Sequence, residues 1–265
     1  RCRYNRDMMR GTDGIEAPDS VNDRWSRRAV VGLFFLSGAC GLVYEIIAMR
    51  LFRHVMGNTT FAISAVLTVF MGGLALGSFL GGRIAERCRN MLLLFAAMEA
   101  SIGLYFLLLP QLVVAGTPLY AWLYGSSGGS FWLLNLTRFA FCGLLLLLPT
   151  TLMGATLPVL SRYFVRSEAH VGVRVGMLYA VNTFGAVLGI AAAGFLLIPS
   201  FGVRRTMLVA CGSSLAVALL AFALSRSVGS FRNRSNRRIG GVDVAPSNHE
   251  SKSARTHEGS AGQSV

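Results

Sequence analysis

Six apolar stretches, at 29–49, 60–80, 91–109, 139–159, 177–198 and 207–224, leave this chain few ways to fold. An α-helix needs about 20 apolar residues to cross a hydrocarbon core about 30 Å thick, and each stretch is close to that length. A soluble chain of 265 residues would have to bury six such helices on every face. Helices of small soluble domains keep a polar side in water instead. Barrel strands are excluded as well, because the runs are too long and too uniformly apolar for segments that alternate between lipid and lumen. Backbone in lipid must satisfy its own hydrogen bonds, which leaves helices. The pattern predicts an all-α fold: a polytopic bundle of six transmembrane helices whose first partner is the lipid bilayer.

Charge sets the expected orientation. The chain carries a net +13 with 53% hydrophobic and 14% charged residues, and Lys252 is its one lysine. Such a charge invites a nucleic-acid partner, but the arginines gather at span ends and in tails, where membrane topology accounts for them, so none is expected. Seven basic residues precede the first stretch, three lie between the second and third (Arg83, Arg87, Arg89), three between the fourth and fifth (Arg162, Arg166, Arg174), and seven follow the sixth. The opposite side has Arg50, Arg53, Arg204 and Arg205, with Arg138 at the lip of the fourth stretch left out of the count, so both termini are predicted to be cytoplasmic.

Three regions follow. Residues 1–28 form a polar cytoplasmic segment without a cleavage site of small residues, which marks the first span as a retained helix. Residues 29–224 form the transmembrane domain. Residues 225–265, rich in serine, arginine, asparagine and glycine, are expected to be a disordered basic cytoplasmic tail. Its arginines from Arg226 to Arg238 suit positive-inside anchoring or contact with anionic headgroups. Cys40, Cys142 and Cys211 lie inside apolar stretches and Cys2 and Cys88 outside them. No CxxC or His-rich spacing offers a metal site, and no cofactor is implied. The uncharged region 110–137, with Tyr120, Trp122, Tyr124, Phe131 and Trp132, is expected to be an outer loop holding a short surface helix, with Gly125 to Ser130 as its turn.

Glycines predict where helices meet. Gly73, Gly77 and Gly81 recur every fourth residue in the second stretch, and Gly185, Gly189 and Ala193 do so in the fifth. Such stripes let a neighbouring backbone approach closely. Both belong to the middle members of three-helix sets, each followed by an arginine pair, Arg83 with Arg87 and Arg204 with Arg205. Three is odd, so the second set is inverted relative to the first, a 3+3 inverted repeat.

Chemistry, where present, must lie in the bilayer. Glu45 and Glu99 are the two acids within the stretches, and an ionisable group there is a candidate functional site by default. Glu99 is the deeper, about 12 Å along its helix at 1.5 Å per residue. It is either a protonated acid hydrogen-bonded across a helix interface or a group that binds substrate or carries a proton. Glu45, near the outer end of its span, is either an interfacial carboxylate paired with Arg50 or Arg138, or a second substrate contact. Asn182 either bonds a neighbouring helix or shares a cavity with Glu99. Tyr44, Tyr105 and Tyr179 either anchor at the interface or offer ring faces to a cation. Pro149 and Pro158, with Thr150, Thr151, Gly154 and Thr156 between them, predict a kinked fourth helix with freed carbonyls. No nucleophile, base or metal constellation appears, so no catalytic residue is named.

Two resemblances add to this. Gly77-Ser-Phe-Leu-Gly-Gly-Arg83-Ile-Ala-Glu86-Arg87 resembles the loop between the second and third helices of the major facilitator superfamily, in which charges such as Arg83, Glu86 and Arg87 latch helix ends; the acid stands later here, at Glu86. Five further strings occur in order: Leu36-Ser-Gly-Ala-Cys-Gly-Leu-Val-Tyr44-Glu45, Gly57-Asn-Thr-Thr60, Phe70-Met-Gly-Gly-Leu-Ala-Leu-Gly77, Leu148-Pro-Thr-Thr-Leu-Met-Gly154-Ala-Thr-Leu-Pro158 and Leu178-Tyr-Ala-Val-Asn182-Thr-Phe-Gly185. Together they are similar to the membrane half of the bacterial proteins that fuse a major-facilitator-like region to spermidine synthase. The resemblance implies one half of a major facilitator in a bacterial inner membrane. Only 41 residues follow Leu224, too few for the synthase domain of that family, so its activity is carried over to no residue here. Two functions remain open. One is a transporter-like module that binds or moves a polyamine or other small cation and pairs with a second copy as a homodimer. The other is a membrane scaffold for a spermidine synthase-like partner, separately encoded or lost.

Overall fold

The computed structural model describes residues 21–57, 59–126, 130–164 and 171–239, with side chains described for 25–57, 59–126, 130–164 and 172–227. Most of the N-terminal polar segment, Asn58, Arg166 and residues 240–265 lie outside the described residues. The elements are α1 (Val21–Met56), α2 (Thr60–Arg87), α3 (Met91–Ser126), α4 (Phe131–Phe164), α5 (Val171–Ala192), a π-helical turn (Ala193–Leu197) and α6 (Ile198–Ile239). By packing, 1–226 and 227–265 are separate units, and the bundle is the first. Helix α6 passes the expected tail boundary at Leu224 as helix.

Five helical runs are long and apolar enough to cross a membrane, the last being Gly172–Ser227 with 56 residues. As one straight helix it would be about 84 Å long, far beyond a bilayer core. It is not straight. At Gly202 the backbone leaves helical geometry (φ 76°, ψ 169°), a conformation that glycine reaches without a Cβ penalty. Two apolar clusters show where the chain goes. Leu178 of α5 packs in the cluster with Val30, Phe34, Leu92 and Phe95; Ala193 and Ile198 pack in the other, with Ile47, Phe52 and Val113; Val217 and Ala221 of α6 are back in the first. The loop expected between the fifth and sixth stretches is thus replaced by a π turn and a single glycine bend.

Local chemistry explains the other breaks. Gly57 stops α1 at φ 81°, its N–H bonding the Arg53 carbonyl at 3.0 Å. Thr59 starts α2 by accepting from the Ala62 N–H at 3.2 Å, and Asn90 does the same for α3 through Leu93. The expected outer loop 110–137 is a correction. Helix α3 runs through Pro110 and Pro118 to Ser126, and α4 begins at Phe131. Trp122 and Trp132 are nevertheless exposed, at 67% and 82%, as interfacial aromatics would be.

Glycines seat the helix pairs. A side chain at Gly73, Gly77 or Gly81 of α2 would collide with Thr150, the Thr151 carbonyl or Ala155 of α4, and one at Gly154 of α4 with Leu74. On α5, Gly185 lies against the Phe35 carbonyl and Gly189 against the Ala39 backbone of α1. The contacts of Gly73, Gly77 and Gly81 on α4, and those of Gly185 and Gly189 on α1, advance along both sequences, so each pair runs parallel. Gly103 of α3 rests on Cys211 and Ser214 of α6. Many large apolar side chains face outward, Leu144, Phe195 and Leu219 among them, a surface that suits lipid and not water. Gly77→Val should therefore cost about 1–3 kcal/mol, whereas Gly72→Val, with nothing within 4 Å of its Cβ position, should stay within about 0.5 kcal/mol. Thermal unfolding of the two variants in detergent checks this, and equal losses would contradict the assigned packing.

Candidate functional site

All six helices contribute to a partly open cavity. About 110 Å³ in volume, it is lined from α1 by Ser37 and Tyr44, from α3 by Glu99, from α4 by Thr156, from α5 by Asn182 and from α6 by Ser214, with Phe70 and Leu74 of α2 as part of its apolar wall. Glu99 is 2% exposed. The Ser37 hydroxyl donates to its Oε1, and Ser214 lines the same cavity beside the carboxyl. Ser214 in turn accepts from the Tyr44 hydroxyl at 3.1 Å. The Tyr44 ring is held by stacking on Phe106, with centroids 4.1 Å apart and planes 21° from parallel.

Each placement has a backbone reason. Gly38 leaves room for Asn182, whose main-chain and side-chain oxygens occupy the space a Cβ would fill. The glycine seat between α1 and α5 therefore also brings Asn182 to the cavity. Gly103, one turn beyond Glu99, draws α6 close enough to present Ser214. Among the described residues lining the cavity there is no lysine, arginine or histidine. Among the described residues, too, no three His, Cys, Asp or Glu side chains converge as metal ligands. A carboxyl, four hydroxyls and an amide in an otherwise apolar cavity can accept the N–H groups of a small cation.

The sequence-derived candidates divide. Glu99, Tyr44 and Asn182 come together at the cavity. Glu45 is 6% exposed but does not line it. Arg138 does not pair with Glu45: its Nη1 donates to Asn135 Oδ1 at 3.0 Å, one turn back on α4, and its Nε is buried without a partner. Its interhelical neighbour is Tyr120 of α3 instead of Glu45 of α1. The Arg83 guanidinium lies 3.8 Å from the centroid of the Phe79 ring, and Glu86 and Arg87 are exposed. Tyr179 is 60% exposed. Ser37 and Ser214 were not singled out from the sequence, because serines are common in apolar helices and nothing in their spacing marks them.

Pro149 and Pro158 both fall inside α4, which remains one continuous helix across them. Pro149 has no N–H for the carbonyl four residues back, that of Leu145. Tyr105 of α3 supplies the donor, its hydroxyl bonding the Leu145 oxygen at 2.7 Å. Thr150 and Thr151 bond to the Leu146 and Leu147 carbonyls in the same turn, at 2.7 and 2.6 Å. The carbonyl freed by proline thus becomes a cross-link between α3 and α4.

Known proteins resemble this chain along most of its length. The chain is similar to bacterial polyamine aminopropyltransferases. It is 31% identical to polyamine aminopropyltransferase 2 of Streptomyces coelicolor over 230 residues, 82% of this chain and 39% of that protein. It is 26% identical to polyamine aminopropyltransferase 1 of the same organism, over 80% of this chain and 37% of the relative. Polyamine aminopropyltransferase 1 of Ralstonia nicotianae is 23% identical over 77% of this chain and 36% of its own length. The chain therefore spans less than two fifths of the curated relatives it matches. No protein-family model and no solved structure matches it.

The proline cross-link yields a prediction. Tyr105→Phe should cost about 0.5–1.5 kcal/mol. In a Pro149→Ala background, where residue 149 regains its own N–H, the same change should cost less. A double-mutant cycle by thermal unfolding reads the difference, and additive effects would contradict the pairing.

Proposed function

We propose that this chain is a transporter-like module of six membrane-crossing helices that binds and moves a polyamine or another small ammonium cation, with Glu99 as its anionic contact. The observation that carries the proposal is the buried Glu99 carboxyl opening on a largely apolar cavity to which all six helices contribute. Tyr44, Ser214, Asn182 and Thr156 provide further N–H acceptors around it. The polyamine as ligand draws support from the names of the relatives, and the small cation class from the acid itself.

Six crossings and a major-facilitator-like half draw support from two features. The run Gly172–Ser227 doubles back at Gly202 between the two apolar clusters. Exchanging α1 with α4, α2 with α5 and α3 with α6 turns the α1–α5 pair into the α4–α2 pair. Both pairs are parallel and seated on glycines, as a 3+3 inverted repeat requires. The excess of arginine on one side supports a bacterial inner membrane location with both termini in the cytoplasm. A major facilitator uses twelve helices, so a second copy completes the transporter.

A second function has its own support. The matched relatives are named as aminopropyltransferases and extend well beyond the matched part. The bundle then serves as the membrane anchor of a spermidine synthase-like domain or partner, and the cavity has a structural part only.

Flux separates the two. In proteoliposomes the wild-type chain should accumulate labelled spermidine or putrescine. Glu99→Gln should lower that flux at least about tenfold, the scale of losing one partner of a buried charge pair, whereas Glu45→Gln should retain most of it. Equal flux for Glu99→Gln removes Glu99 from the mechanism. No flux in the wild type favours the anchor.

A further inference from the structure

We infer that the Glu99 cavity holds either one proton or one ammonium group, so that each cation bound displaces one proton. The inference rests on Glu99 as the cation contact, and it adds how that contact is coupled to pH.

Three observations lead to it. Glu99 is 2% exposed, and no basic side chain among the described residues lines the cavity to balance its charge. A lone ionised carboxylate in a lipid-embedded core is costly, and holding a proton removes that cost. The groups around Glu99 also serve both forms. Ser37 and Ser214 are hydroxyls, which donate to a carboxylate or accept from a carboxylic acid by rotating one bond. An arginine or lysine partner could only donate. Ser214 passes the choice to Tyr44, whose hydroxyl already donates to it.

The third observation is charge. One acid lines the cavity, so only one positive charge can be neutralised there. A second ammonium of a polyamine must lie outside the cavity, and the exchange is one for one. In that step the Glu99 O–H bond breaks and its proton leaves to water. The arriving ammonium keeps its three N–H bonds and pairs with the carboxylate, and the net charge in the cavity stays zero. The other titratable groups near Glu99 are Cys40 and Tyr44 on α1 and Cys211 on α6, whose ordinary ranges lie above neutrality. The cavity-lining residues of α2, α4 and α5, Phe70, Leu74, Met153, Thr156, Asn182 and Ala186, do not titrate near neutrality.

Calorimetric titration of the full chain in lipid nanodiscs with putrescine and with spermidine tests this, in two buffers of different ionisation enthalpy. The expected result is proton release approaching one per ligand. Because the proton competes, affinity should also fall towards tenfold for each unit the pH drops. Glu99→Asp should keep the release with altered affinity, and Glu99→Gln should lose binding and release together. Binding by the wild type with no proton release and unchanged affinity from about pH 6 to 8 overturns the exchange and leaves Glu99 as the cation contact. Undiminished proton release in Glu99→Gln overturns it as well. No binding of either amine by the wild type overturns both.

Discussion

Backbone-to-backbone contact at glycine is the constraint on which the bundle depends. In lipid there is little hydrophobic drive between helices, so close packing and interhelical hydrogen bonds must hold them. The α2–α4 pair obtains that packing through Gly73, Gly77, Gly81 and Gly154, and the α1–α5 pair through Gly38, Gly185 and Gly189. These seats also fix what faces inward. Asn182 reaches the centre because Gly38 leaves it room, and Ser214 reaches Glu99 because Gly103 admits α6. The cavity is therefore a by-product of two tight parallel pairs closing around α3 and α6.

Polar groups in the bundle are arranged so that few are left over. The carbonyl that Pro149 cannot satisfy is taken by Tyr105, and the threonines after it bond within their own turn. Tyr44 bonds Ser214 and Ser37 bonds Glu99, two pairs that face one cavity from three helices. Among the described residues only Arg138 Nε and Ser161 Oγ are buried side-chain polar atoms with no hydrogen-bond partner. A buried carboxyl facing open space without a counter-charge is the feature that calls for a ligand.

Much of this was legible in the sequence, for identifiable reasons. Span length and apolarity are properties of composition, so the helices could be read directly. Glu99 stood out because acids are rare in such runs, and the glycine stripes because their four-residue repeat is itself the packing surface. Other features depend on three-dimensional neighbours. Pro110 looked like the end of a span, yet α3 continues to Ser126, since proline costs a membrane helix little where its neighbours re-satisfy the backbone. Glu45 and Arg138 appeared to share one side of the membrane, but depth alone does not bring two helices' side chains together. Ser37 and Ser214 acquire their part only from the acid they face.

Chemical labelling of Glu99 in native membranes tests the central claim most directly. A hydrophobic carbodiimide reacts with carboxylic acids that hold a proton in an apolar setting. The account predicts that it modifies Glu99, read by mass spectrometry of the α3 peptide, and that putrescine or spermidine protects the residue increasingly as the pH rises. Labelling that neither amine reduces, or a Glu99 that stays unmodified while Glu45 reacts, would contradict it.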